Sequence, residues 1–172
     1  MKVTVIDTNC MVQFYQSFLL DLETEFTAAV EIAFERGVVG IDNEGHALHE
    51  YDETFRPKGA SIGLRDWIYE EIRKSKIVEF DMDQSETKVL KSKFGLPKKD
   101  IKWISIALGS SGDVILTEDI DLFDPKKKKE KGAAREKAMN WRNGELSKFL
   151  KKKHCIYVCR CVHIGGLCGE ID

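Results

Sequence analysis

Asp7 stands directly after the apolar run VTVI, with Thr8 and Asn9 behind it. A strand buried on both faces has no use for a charge at its tip unless that tip opens onto solvent or a site. In open α/β sheets, ligands bind at the carboxyl ends of the strands. Three further places repeat the pattern. In GDVILTEDIDLFD, a buried run ends in Thr117, Glu118, Asp119, Ile120 and Asp121. In PKKDIKWISIAL, Asp100 opens an apolar helix, and in HALHEYDETF, Glu50 precedes Tyr51 just after the second strand. A parallel sheet gathers its carboxyl ends at one edge, so Asp7 and Asp119 face each other across neighbouring strands. Returning helices present Glu50 and Asp100 there. Crowded carboxylates repel one another, and a divalent cation removes that cost. All-oxygen ligands suit Mg²⁺ or Mn²⁺. Two such ions can activate a water and hold the leaving oxygen of a phosphodiester. Plainer roles compete with this one. Asp7, Thr8 or Asn9 can cap the next helix, Asp100 can cap its own, and Asp121 or Asp124 can be a solvated turn. Glu44, Asp52 and Glu53 compete with Glu50 for its place.

The elements that must position these residues follow from periodicity. Val3 to Ile6 is the first strand. Met11 to Arg36 holds two helices, with Phe26, Val30, Ala33 and Phe34 at helical spacing and Gly37 as the stop. GVVGID, 37 to 42, is the second strand, and Leu48, Tyr51 and Phe55 share one face of the helix after it. Pro57, Gly59 and Gly63 mark a loop. A helix over 64–75, a strand over 76–81 and a helix from Ser85 to Phe94 follow. IKWISIAL is helical, DVILT is the fourth strand, WRNGELSKFLKKK is a helix, and CIYVCRCVHI is a last strand. Strands alternating with helices over the whole chain give an α/β fold with a parallel sheet.

One domain is expected from 172 residues, 42% hydrophobic and 33% charged. The start, MKVTVIDTN, lacks the apolar stretch of a secretory signal, and no run is long enough to span a membrane. Five cysteines, an odd number, suit a reducing cytoplasm better than a disulfide framework. The formal charge of -2 hides a split. Pro125 to Lys153 carries 12 Lys and Arg against 3 Glu, a net of +9, which leaves -11 on the rest. An acidic body beside a basic segment suits a protein that gathers cations at one place and an anionic polymer next to it.

The basic segment, a flexible lysine-rich loop inserted at about 125–140 with more lysines behind it, offers Lys126, Lys127, Lys128, Lys129, Lys131, Arg135 and Arg142 to phosphates. Trp141 with Arg142 has the chemistry to stack on a base, although the indole reads first as an anchor for the last helix. In the tail, Cys155, Cys159, Cys161, Cys168, His154 and His163 are zinc-ligand types without a C-x-x-C pair. Cys155, Tyr157, Cys159 and Cys161 alternate as one face of a strand. His46 and His49 flank Glu50 and read as surface residues.

VIDTN, VVGIDNEGHALHEY, KKDIKWISIAL and VILTEDIDLF, in that order, resemble the PIN-domain nuclease family over roughly Met1 to Asp124. The resemblance implies a three-layer α/β/α sandwich with a central, mainly parallel sheet. It implies metal-dependent cleavage of single-stranded nucleic acid, most often RNA, through an activated water. Asp7, Glu50, Asp100 and Asp119 match the family's four acidic positions, with Asp121 as a frequent companion on Mg²⁺ or Mn²⁺. Thr8, Asn9 and Thr117 would orient carboxylates or water from behind. RNA is the expected partner, with single-stranded DNA as its alternative. A second copy of the chain or a regulatory protein remains open. Two other readings compete. A haloacid-dehalogenase-like phosphohydrolase typically has a second Asp two residues after the first, where this chain has Asn9, which cannot shuttle the proton. A non-catalytic nucleic-acid-binding module would keep affinity without turnover.

Overall fold

The computed structural model describes residues 2–55 and 63–171. Five parallel strands form one sheet: β1 (Lys2–Ile6), β2 (Gly37–Asp42), β3 (Ile77–Phe80), β4 (Val114–Leu116) and β5 (Tyr157–Cys159), in the order β3-β2-β1-β4-β5. Each inner strand is a run of buried Val, Ile and Leu, as a sheet covered on both faces requires. The first crossovers, α1 (Thr8–Leu19) with α2 (Glu25–Arg36) and α3 (His46–Thr54) with α4 (Leu64–Arg73), step from β1 out to β3. The chain then returns through α5 (Thr87–Val89) with a π-helical turn over Leu90–Phe94, and through α6 (Lys98–Gly109), to β4 on the far side of β1. Right-handed crossovers in opposite directions lie on opposite faces. The molecule is therefore a three-layer α/β/α sandwich, and the direction of winding reverses between β1 and β4.

Local chemistry fixes the joints. Thr24 and Thr27 exchange side-chain and backbone hydrogen bonds as a capping box that starts α2. Tyr51 of α3 stacks on Trp103 of α6 at 5.6 Å, and its hydroxyl donates to the Ile6 carbonyl at the end of β1. Both aromatic rings are buried. This contact ties the second crossover to α6 at the carboxyl edge of the sheet.

Two parts of the late chain differ from the expectation. The basic segment is not an open loop. A short helix, α7 (Ile120–Phe123), precedes it, and it contains a 3-10 turn over Pro125–Lys127 and α8 (Gly132–Ala138). The next helix, α9 (Glu145–His154), begins at Glu145, because Trp141 to Asn143 form a turn. The tail is not a ten-residue strand. β4 offers three residues, and β5 pairs with those three alone. Cys155 ends α9 in a left-handed conformation, and Cys161–His163 is a 3-10 turn into α10 (Ile164–Ile171), which packs on α2. The segment 85–94 is likewise shorter as an α-helix than its periodicity predicts, because it widens into the π turn. Pro57 and Gly59 lie outside the described residues. No helix among the described residues is long and apolar enough to cross a membrane.

Candidate functional site

Asp7 leaves β1 and caps α1, so the capping role and a place at the sheet edge coexist. Its Oδ1 accepts from the Thr8 amide at 2.6 Å and its Oδ2 from the Thr117 hydroxyl at 2.7 Å. Burial pushes the Asp7 carboxyl above its ordinary range. The Thr117 and Thr8 hydrogen bonds oppose that rise, and the Asp119 charge adds to it. Thr117, directly after β4, also accepts from the Asp119 amide at 2.9 Å. One buried hydroxyl therefore sets the spacing between the ends of β1 and β4.

Asp119 caps α7, taking the Asp121 amide at 2.9 Å on Oδ1. Asp121 is buried on the first turn of α7, and Asp100 is buried on the first turn of α6. Each of Asp100, Asp119 and Asp121 offers an oxygen within 4.8 Å of the others. Asp100 Oδ2 and Asp121 Oδ1 are buried and accept no hydrogen bond from any described residue. Burial, with Asp119 and then Asp121 and Asp7 adding repulsion, pushes Asp100 up to about 6, against the opposing charge of Lys99.

Glu50 sits apart from this trio. Its Oε1 accepts from the Thr8 hydroxyl at 2.6 Å, and its Oε2 is ion-paired with Lys102 of α6. Asp7 thus lies between two sets of partners, linked to Glu50 through Thr8 and to Asp119 through Thr117. Asn9, by contrast, is exposed and makes no hydrogen bond to a described carboxylate. Asp42, at the end of β2, accepts from the His46 and Ala47 amides at 2.7 Å each and lies 3.0 Å from His46 Nδ1, so its carboxylate is occupied by the first amides of α3.

Lys102 joins the site without any acidic motif of the sequence pointing to it. It is half-buried over the Trp103 ring, and burial lowers its ammonium while Asp7 and Asp42 oppose that. The available signal was a lone lysine inside the apolar run IKWISIAL. Among the basic residues singled out, Lys128 reaches the trio and pairs with Asp121, whereas Lys126 pairs with Glu145 and Arg142 with Glu170. Lys127, Lys129 and Lys131 are exposed, and Arg135 is half-buried on α8. Trp141 packs edge-on against Tyr157 at 5.4 Å with Lys151 over its ring, as an anchor would.

The cysteines separate. Cys155 is exposed, while Cys161 faces Cys10 of α1 and Glu118, whose ligand atoms all lie within 4.8 Å. The alternating face expected of the tail does not exist, because only Tyr157 and Cys159 of that set belong to β5.

The trio's chemistry fits an oxygen-preferring divalent cation. The donors are hard, three carboxylates converge, and two of their oxygens are buried with no donor among the described residues to satisfy them. Compared with family models, curated proteins and solved structures, the chain matches none.

Proposed function

We propose that this protein is a metal-dependent nuclease of PIN type, hydrolysing phosphodiester bonds of single-stranded nucleic acid, RNA above all. The reading is carried by Asp100, Asp119 and Asp121, which converge within 4.8 Å with two orphaned, buried oxygens. Desolvating three carboxylates together is costly unless something positive compensates. The substrate class is what the resemblance of the ordered acidic motifs to the PIN-domain family implies.

Asp100, Asp119 and Asp121 would hold Mg²⁺ or Mn²⁺. The ion would neutralise the carboxylates and polarise a phosphoryl oxygen and a nearby water. The chain's own residues do the rest. Thr117 holds Asp7 and Asp119 in register. Asp7 stands beside the trio to accept a hydrogen bond from the attacking water. Lys102 and Lys128 set two ammonium groups at the rim, and a phosphodiester brings the anion they favour.

The test is cleavage of end-labelled single-stranded RNA and DNA with Mn²⁺, Mg²⁺ or EDTA, alongside Asp7→Asn and Asp119→Asn. Metal-dependent cutting that falls at least about a hundredfold in both variants is the expected result. Tight binding with no cutting of any strand would overturn the nuclease reading in favour of a binding module.

A further inference from the structure

A cavity of about 670 Å³ lies between α3 and α6 and reaches Glu50 and Lys102. Its two walls differ in charge. On one side stand Lys91, from the π-helical turn, and Lys98, Lys99 and Lys102, from α6. Lys98 and Lys102 are one helical turn apart and share a face, so the cations run inward toward Glu50. On the other side, Glu44 and Glu53 pair with His46 and His49 at 3.5 and 3.3 Å. Met82 and Ile101 supply an apolar surface between the walls.

Lys91, Lys98 and Lys99 form no ion pair with any described residue, in contrast to Lys126, Lys128 and Arg142. Two of them occupy the first turn of α6, where cations oppose the helix dipole. Helix stability disfavours that placement, and an anionic ligand in the cavity would favour it. Lys127, Lys129 and Lys131 are likewise exposed and lack ion pairs with described residues, but they stand around the turn that follows α7 and do not line the cavity.

We propose that this cleft is the track for the single-stranded polynucleotide on one side of the scissile bond, with its phosphates on Lys91, Lys98 and Lys99 and its sugars and bases against Met82 and Ile101. The assignment rests on the nuclease reading and names where that reading's substrate lies. Three unpaired cations along one wall suit a polyanion, and contacts of this kind carry no base specificity.

The experiment is binding of a fluorescein-labelled 12-mer oligouridine to the full chain carrying Asp119→Asn, followed by anisotropy between 50 and 200 mM NaCl. Removing two phosphate contacts from a single strand lowers the salt slope by about 1.4. The affinity ratio across that fourfold change in salt should therefore shrink about sevenfold in Lys91→Ala/Lys98→Ala. Lys91→Arg/Lys98→Arg should keep the parent slope, which a loss of fold would not allow. An unchanged slope in the alanine pair would overturn the track. So would a slope loss confined to Lys126→Ala/Lys127→Ala. If the parent cuts no strand while the alanine pair still loses slope, the nuclease reading fails and the polynucleotide track stands.

Discussion

Thr117 serves two buried partners with one hydroxyl, donating to Asp7 Oδ2 and accepting from the Asp119 amide. Thr117→Val keeps the shape and removes both bonds. Each orphaned group costs about 1–3 kcal/mol, so the variant should lose about 2–6 kcal/mol in urea unfolding, while Thr117→Ser keeps most of it. Equal stability of the two variants would show that the hydroxyl is idle. Asp100 gives a pH signature in the metal-free chain. Burial and the Asp119, Asp121 and Asp7 carboxylates raise it to about 6, against Lys99, so the folded state holds its proton where the unfolded state has released it. Stability then falls as pH rises from about 4 to 6. Asp100→Asn has no such proton to lose. In EDTA its advantage over the parent should be absent below pH 4, grow through pH 5 and level off above 6, and a flat difference would refute the assignment. The thiols divide just as sharply. Burial, with Cys161, Cys168 and Glu118 adding repulsion, pushes Cys159 up to about 12, which leaves about one thiolate in 10⁴ at pH 8. Ellman's reagent at that pH should label Cys155 fast and the other four cysteines only after denaturation.

At the scale of elements, α6 carries the most site chemistry and is pinned at both ends. At its carboxyl end Gly109 has no room for a side chain, since a Cβ would stand 1.8 Å from the Asp81 carbonyl oxygen. Gly109→Ala must push the loop after β3 away and should cost about 3 kcal/mol in a chemical melt. A loss below about 0.5 kcal/mol would mean that this loop yields freely. The elements around the site were legible where burial writes a plain pattern. VTVI, GVVGID and VIL are continuous apolar runs, and they are β1, β2 and β4 with ends off by at most a residue. CIYVCRCVHI misled because its alternation is genuine, but strand length is set by the neighbour, and β4 offers only three residues to pair. The basic segment misled because a lysine run announces solvation and hides the strong helix formers Ala, Arg, Glu and Lys of GAAREKA. In the site itself, carboxylates at strand ends could be found from the sequence because a charge there breaks an apolar run. The Glu50–Lys102 pair joins residues 52 apart through the packing of α3 on α6, and no local pattern encodes it.

The whole molecule brings residues 7, 100, 119 and 121 to one edge only when the sheet is wound, with the reversal between β1 and β4 placing two strand ends side by side. The unfolded chain spreads the same carboxylates along more than a hundred positions and has no comparable site. A cation held by the trio therefore binds the folded state alone and stabilises it by mass action. At a free concentration a hundred times its Kd the gain is about 2.7 kcal/mol. For a domain of this size that raises the melting midpoint by roughly 5–10 °C. Lys128 now pairs with Asp121 and would have to leave that oxygen, so part of the gain is offset and the lower end of the range is expected. The measurement is a thermal melt in EDTA and in millimolar Mn²⁺. Asp119→Asn and Asp121→Asn should abolish the shift, whereas Lys128→Met, which frees the carboxylate, should enlarge it. An equal shift in all four proteins would place the ion elsewhere on the acidic body, whose net charge of -11 outside the basic segment attracts cations without a built site.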